Sequence, residues 1–296
     1  MTDHRWGIDL GGTKIELAVL PAEGGDPIFR RRVPTESDRG YEQILANVAG
    51  LVETASYELQ SKPVRVGIGT PGTTDPRSGL LKNSNTQCLN GRPFRDDLAA
   101  KLGVEVRAAN DANCFALAEA TMGAAKGYAT VFGIIMGTGV GGGLVVNGQI
   151  LEGAHGIAGE WGHNLLDPHG SMGYSGHRGI VETVLSGPGL ERFYAECTGT
   201  PRKLPDIVER VGLNELAAIR TMDRLYSMFG RAVAQIVNVF DPHAIVLGGG
   251  VGNVPGLAER GAAEAAKWVF NPSFQTPLLR PSLGDSAGVF GAAMLV

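Results

Sequence analysis

Three glycine runs and two aspartates are the positions in this sequence whose types and spacing can do chemistry. Asp9 precedes Gly11-Gly12-Thr13-Lys14, a second run reads Gly137-Thr138-Gly139-Val140-Gly141-Gly142-Gly143, a third is Gly248-Gly249-Gly250, and Asp111 follows Asn110. A glycine turn presents backbone N–H groups with no side chain in the way, and successive N–H groups form a nest for phosphate oxygens. Asp9 ends an apolar run where its carboxylate can reach the shell of a magnesium ion, with the Thr13 hydroxyl at the turn. The first two turns, each between strand-like segments, would together clamp a nucleoside triphosphate. The third lies between a buried strand and a helix, which suits either the adenosine end of the nucleotide or close helix-sheet packing. Asp111 stands at a strand-to-helix junction, placed to accept a proton from a hydroxyl, although Asn110 or Asp111 could also serve as a helix N-cap.

Two commoner phosphate motifs are excluded. The dinucleotide fingerprint G-x-G-x-x-G needs a strand before it and a helix after it, whereas Gly11-Gly12 and Gly137 to Gly143 are each followed by strand-like sequence. The pattern G-x-x-x-x-G-K-[ST] does not occur.

The elements that must hold these residues follow from periodicity. Arg5 to Leu20 reads as strand, tight turn, strand. Apolar residues at helical spacing (Ile44, Leu45, Val48, Leu51, Val52) predict a helix over 41–59, and Val64 to Ile68 a strand ending in Gly69-Thr70-Pro71-Gly72. Helix and strand alternate again at 94–102 and 104–108, and Cys114 to Met122 reads as a helix. The second half opens as the first did, with strand 130–136, a turn over Gly137 to Gly143 and a returning strand 144–146. Long helices are expected at 180–197 and 213–240, then a strand at 244–247. A hinge near 108–128 divides the chain into a small lobe, 1–110 plus about 285–296, and a large lobe, 111–284, with a helix from about Ala287 returning to the first.

Composition limits the partners. The 296 residues carry a formal net charge of -4, with 43% hydrophobic and 19% charged residues, as ordinary globular chains do. No block of Lys or Arg provides a footprint for nucleic acid or an anionic membrane, and no apolar stretch approaches a membrane span or a signal peptide. Three cysteines, Cys88, Cys114 and Cys197, lack any C-x-x-C pair, which fits a reducing cytoplasm. Glycine is the anomaly: 44 residues, about twice the usual share.

The ordered series GIDLGGTK, GIGTPG, ANDANCFALAEA, GTGVGGGLVVNG, GEWGH, G-x-x-G-x-x-E-T-x-x-S-G and IVLGGG resembles the ROK family of bacterial sugar kinases along essentially the whole chain. The resemblance implies an α/β, two-lobed actin/hexokinase-like (ribonuclease H-like) fold with duplicated β-hairpin phosphate loops and an interlobe cleft. It implies ATP and Mg2+ as cofactors, Asp111 as catalytic base, and phosphorylation of a hexose on its 6-hydroxyl. Asp9, Gly11, Gly12, Thr13, Lys14, Gly137, Thr138, Gly139, Gly141, Gly248, Gly249 and Gly250 would hold the nucleotide. Gly72, Asn85, Asn110, Asp111, Glu160, His163 and Glu182 would meet the sugar. Taken singly, His163 could be a structural histidine, Glu182 a solvated helix position and Trp161 a core residue. KNSNTQCLNGRPF, AGEWGHN and VNVFDPHAIVLGGGVGNV look most like fructokinases that also accept mannose, and next like N-acetylglucosamine or N-acetylmannosamine kinases. Family members are often dimers, which allows a homodimer.

Zinc-containing members hold the metal with one histidine and a C-x-C-G-x-x-G-C-x-E pattern. Here the thiolate positions are Gly173, Ser175 and Ile180, so zinc is not expected, and Tyr174, Ile180 and Val181 are expected to pack inward in its place. Many ROK proteins are repressors with a winged helix ahead of the sugar-binding body. With GIDLGG starting at Gly7, that reading is set aside. A catalytically dead sugar sensor is disfavoured by the retained Asp111 and glycine turns.

Overall fold

The computed structural model describes residues 4–296 and divides into two compact units. One comprises the chain up to Lys126, Gly148–Ala158 and Leu283–Val296; the other comprises Gly127–Asn147 and Gly159–Ser282. The helix that opens at Asp111 thus stays with the first unit instead of opening the second. The segment Gly148–Ala158 joins it there, and the crossover lies inside the expected 108–128 window.

Each unit is built on a sheet that starts with a glycine-turn hairpin. In the first, strands run from edge to edge as Phe29–Pro34, Lys14–Leu20, Arg5–Leu10, Arg65–Thr70 and Glu105–Asn110. The first three are antiparallel neighbours, while Arg5–Leu10, Arg65–Thr70 and Glu105–Asn110 run parallel. The helix Tyr41–Leu59 covers this sheet because its apolar residues recur every three or four positions, and Ile44, Leu45, Val48, Leu51, Val52 and Ala55 are all buried. In the second unit Val140–Val146 pairs antiparallel with Thr130–Met136, which lies parallel to Ala244–Gly248, itself parallel to Leu278–Leu279.

Several expected boundaries move. The turn thought to span Gly137 to Gly143 ends at Gly139, and Gly141 to Gly143 lie in the returning strand, opposite Ile135, Ile134 and Gly133. Gly142 is glycine for packing: a Cβ there would stand 2.6 Å from the Trp161 ring and 2.7 Å from Phe132. The expected helix 180–197 breaks into Val181–Leu185 and Gly187–Thr198. Ser186 is extended between them and its Oγ accepts from Gly189 N–H, and Pro188 in the first turn cannot donate an N–H to a continuing helix. The helix Leu204–Gly212 was not foreseen; Leu213 and Asn214, at φ +57°, close it before Leu216–Phe240 begins. The edge strand Phe29–Pro34 was likewise not foreseen, because Arg30, Arg31 and Arg32 mask its alternation.

The C-terminal helix Ala287–Ala293 does return to the first unit, over three glycines that admit its backbone. A Cβ on Gly67 would stand 1.8 Å from Ala292 O, one on Gly7 2.3 Å from Val289 O, and one on Gly291 1.7 Å from Cys114 O in the helix Asp111–Thr121. The buried Glu119 accepts hydrogen bonds from Ala124 N–H and Leu283 N–H, tying the returning segment down. Gly291→Ala would improve helix propensity by about 1 kcal/mol, but the overlap forces two helices apart at a cost of roughly 3 kcal/mol or more. Thermal unfolding of this variant is expected to show a midpoint lowered by about 6 °C or more; an unchanged midpoint would contradict the close approach. Among the described residues no helix is long and apolar enough to cross a membrane.

Candidate functional site

In the first unit the chemistry gathers at the carboxyl ends of three parallel strands. Register places Asp9 beside Gly69 and Gly69 beside Ala109, two residues before Asp111. The two strands flanking Arg65–Thr70 therefore carry two carboxylates, far apart in sequence, to the same end of an α/β sheet, where ligands bind. Burial pushes the Asp9 carboxyl up to about 6, with the nearby Asp111 and Glu16 charges adding to the shift and Lys14 and Arg32 opposing it. The Asp111 carboxyl is also raised, by desolvation, against the stabilising backbone N–H of Ala112, which donates to its Oδ1 at 2.8 Å. Asp111 nonetheless keeps a water-accessible side chain. The two observations agree if the carboxylate lies open to solvent on one side and is crowded by protein on the others. Capping is done by Asn110, whose side chain accepts from Asn113 N–H at 2.8 Å, so the N-cap role falls to Asn110 and leaves Asp111 for chemistry.

The first glycine turn has its carbonyls tied and its donors left over. Thr35 Oγ1 donates to Gly11 O (2.6 Å), Ser37 Oγ to Gly12 O (3.4 Å) and Thr35 N–H to Thr13 O (3.0 Å), while Gly11 N–H closes the hairpin on Lys14 O (2.9 Å). Among the described residues the N–H groups of Gly12 and Thr13 have no partner, the arrangement that attracts an anion. Lys14 opens the returning strand and is exposed. Thr35 and Ser37 were missed in the sequence because only the folded hairpin brings them to the turn. Gly72, at φ +90°, passes close to Lys82 O and Ser84, and the next residue is the exposed Asn85. The loop is clamped by Asn90, whose Oδ1 accepts from Ser84 N–H and whose Nδ2 donates to Ser84 O, both at 2.9 Å. Asn90 also escaped the sequence reading, since its role depends on a loop closure.

In the second unit the turn Gly137 to Gly139 leaves Thr138 and Gly139 N–H without partners among the described residues, while Gly187 N–H donates to Gly137 O at 2.8 Å. Glu182 belongs to this turn: its Oε2 accepts from Val140 N–H at 3.0 Å, and a Cβ on Gly139 would stand 2.7 Å from that oxygen. Among the described residues its other oxygen carries no such bond. His163 Nε2 lies 3.9 Å from Glu160 Oε2 and 3.3 Å from the Tyr174 hydroxyl, with the two rings edge-on at 5.8 Å. Partial desolvation of its hydroxyl, although the side chain as a whole is exposed, then the Glu182 and Glu160 charges, raise the Tyr174 phenol. Glu160, His163, Glu182 and Tyr174 are therefore neighbours. Trp161 is a core residue, 4% exposed, its Nε1 donating to Gly141 O at 3.0 Å. Gly141 thus contributes a carbonyl to packing from within a strand. Gly249, at φ +81° with its Cβ position 2.3 Å from Met136 O, is required by strand contact, and Gly248 ends the strand. Gly250 alone of that run faces open space.

The loop between His163 and Glu182 does not fit zinc. Ile180 and Val181 are buried as expected, whereas Tyr174 is 80% exposed and does not pack inward; its contact with His163 holds it beside the acidic cluster. Gly173 is closed over by Ile180 and Thr183, and backbone bonds from Gly173 N–H to His177 O and from Leu166 and Asp167 N–H to Gly179 O hold the loop. Elemental analysis of purified protein is expected to find far less than one zinc per chain, with the melting temperature unchanged by a zinc-selective chelator. Stoichiometric zinc would show that other ligands have replaced the thiolates.

Residues 5–296 match the family model described as ROK family. An N-acetyl-D-glucosamine kinase of Photobacterium profundum is 36% identical, with 98% of each chain covered, and that of Mannheimia succiniciproducens is 37% identical at the same coverage. Among solved structures, the ROK hexokinase from Thermus thermophilus aligns at 33% identity with a TM-score of 0.90, covering 99% of this chain and 97% of that one. A ROK family glucokinase from Streptomyces griseus in complex with glucose and AMPPNP aligns at 27% identity with a TM-score of 0.79, covering 99% of both.

Proposed function

Because the chain belongs to the ROK family and is a sugar kinase of hexokinase-like fold, we propose that it transfers the γ-phosphoryl group of ATP to the 6-hydroxyl of N-acetylglucosamine. The observation that carries the phosphoryl-transfer reading is that Asp9 and Asp111 stand at the same end of the two strands flanking Arg65–Thr70, with a turn nearby whose Gly12 and Thr13 N–H groups have no partner among the described residues. Asp111 takes the proton of the attacking hydroxyl, a task its raised pKa favours, since a more basic carboxylate holds the proton better. Asp9 would offer its carboxylate to the magnesium carried by the nucleotide, whose charge would offset that of the phosphates. Within each unit the unpaired turn N–H groups, Gly12 and Thr13 in the first and Thr138 and Gly139 in the second, are suited to phosphate oxygens, and positioning plus electrostatics supply the rate. In the second unit Glu160 and His163, with Glu182 through its remaining oxygen, are suited to ring hydroxyls; in the first unit Asn85 is.

Fructose, expected first from the sequence, gives way to the second choice there, because curated relatives aligned over 98% of this chain, those of Photobacterium profundum and Mannheimia succiniciproducens among them, are N-acetyl-D-glucosamine kinases. A coupled assay over N-acetylglucosamine, N-acetylmannosamine, glucose, mannose and fructose tests the assignment, with kcat/KM expected to be highest for N-acetylglucosamine. A higher value for any other sugar would replace it.

The phosphate turn has its own test at Gly12, where a Cβ would meet nothing nearer than the Thr86 hydroxyl at 3.7 Å. Gly12→Val should therefore fold normally and yet bind a non-hydrolysable ATP analogue at least about tenfold more weakly. Calorimetry showing unchanged affinity would remove the turn from the nucleotide site. Gly139→Val is a poorer probe, because its side chain would strike Glu182 with no ligand present.

A further inference from the structure

The second unit contains a pocket of about 410 Å³ apart from the glycine turns, and its lining includes three arginines, Arg178, Arg192 and Arg224, together with His169. Only two carboxylates line it, Asp167 and the exposed Glu196. Asp167 is already committed: its Oδ2 pairs with Arg224 Nη2 at 3.0 Å and its Oδ1 accepts the His169 backbone N–H at 3.0 Å. Arg224 is also stacked over the Phe193 ring at 4.8 Å, which fixes its guanidinium plane.

Arg178 and Arg192 differ. Neither makes an ion pair among the described residues, and each uses one donor on a backbone carbonyl: Arg178 Nη1 on Gly170 O at 3.1 Å, and Arg192 Nη2 on Thr183 O at 2.6 Å. A guanidinium carries five N–H donors in a rigid fork matched to phosphate and carboxylate oxygens, so most of their donor capacity is unused. Anchoring two unpaired cations beside a third costs repulsion that a bound anion would relieve. The volume is within the range that holds a small organic ligand as well as a bare ion.

From this we infer that the pocket is a second anion site, selective for phosphate or a phosphomonoester and held by Arg178 and Arg192, with His169 at its rim. It lies on the segment 167–171 and on the helices Gly187–Thr198 and Leu216–Phe240. Occupancy would brace the same loop that carries His163 and Tyr174.

Calorimetry with the full chain held at saturating non-hydrolysable ATP analogue and N-acetylglucosamine keeps the nucleotide turns and the sugar site filled, so further binding reports this pocket. Inorganic phosphate and glucose 6-phosphate are titrated separately, the first probing a free anion and the second a sugar monoester. One equivalent of either is expected to bind, with affinity lowered about tenfold or more in Arg178→Gln and in Arg192→Gln, and by less in Arg178→Lys, which keeps the charge and loses the fork. Both glutamine variants should keep sugar-kinase activity and a thermal midpoint near that of the parent. If Arg192→Gln does not fold, Arg178→Gln, exposed and with a single backbone bond to lose, decides alone. No binding by either probe, or binding unchanged in the glutamine variants, would overturn the site.

Discussion

Asp111→Asn is expected to lower kcat by about 10²- to 10⁴-fold while sugar binding survives. The substitution keeps the shape and the Oδ1 that accepts Ala112 N–H, and it leaves the Asn110 cap on Asn113 untouched, so the helix it opens should persist. What is lost is the only group at this junction able to take the hydroxyl proton. Steady-state kinetics separate the outcomes: a fall in kcat at near-constant KM supports a base, whereas a rise in KM with kcat retained would make Asp111 a binding residue. A variant with more than a tenth of the parent kcat would remove it from the chemistry. The raised Asp111 carboxyl adds a pH signature, in which kcat declines as pH falls through a pKa above the ordinary aspartate value.

Asp9→Asn should weaken nucleotide binding and stabilise the empty protein, two opposite effects of one carboxylate. The folded-state pKa of about 6 lies above the unfolded value of 3.8. Between these values the folded chain holds a proton that the unfolded chain has released. Stability from this group is therefore greatest at low pH, declines as pH rises through about 4 to 6, and above 6 the full cost is present. A shift of that size corresponds to roughly 3 kcal/mol. Asparagine removes the charge and with it this slope. Thermal unfolding of the nucleotide-free proteins from pH 4 to 8 should show the variant gaining over the parent as pH rises, by several degrees at neutral pH, while its affinity for magnesium-ATP falls by tenfold or more. Parallel pH profiles for the two proteins would show that Asp9 is not held at a cost, and its place at the magnesium would lose its main physical support. Function here would be bought with stability, as a buried carboxylate awaiting a cation should require.

The sequence by itself determined the two glycine hairpins, the strand-to-helix junction at Asp111 and the return of the C-terminal helix. Each is a local pattern: glycines between alternating apolar segments, or a polar pair between two periodicities, and such patterns act over a few residues. That Gly173, Ser175 and Ile180 carry no thiolate is equally a matter of residue type. What only the tertiary structure decided are meetings across long separations. Gly139 must be glycine because Glu182 lies against it, Gly291 because Cys114 O does, and Gly249 because Met136 O does, so glycines that look alike in sequence answer to different neighbours. Glu182, expected only as a sugar contact, also receives Val140 N–H, and Tyr174, expected in the core, stands exposed beside His163. Arg178, Arg192 and Arg224 line one pocket although three separate segments carry them. Side-chain type and short-range period are written along the chain, but the partner that satisfies a charge or fills a space is set by how strands and helices stack, which no local period encodes.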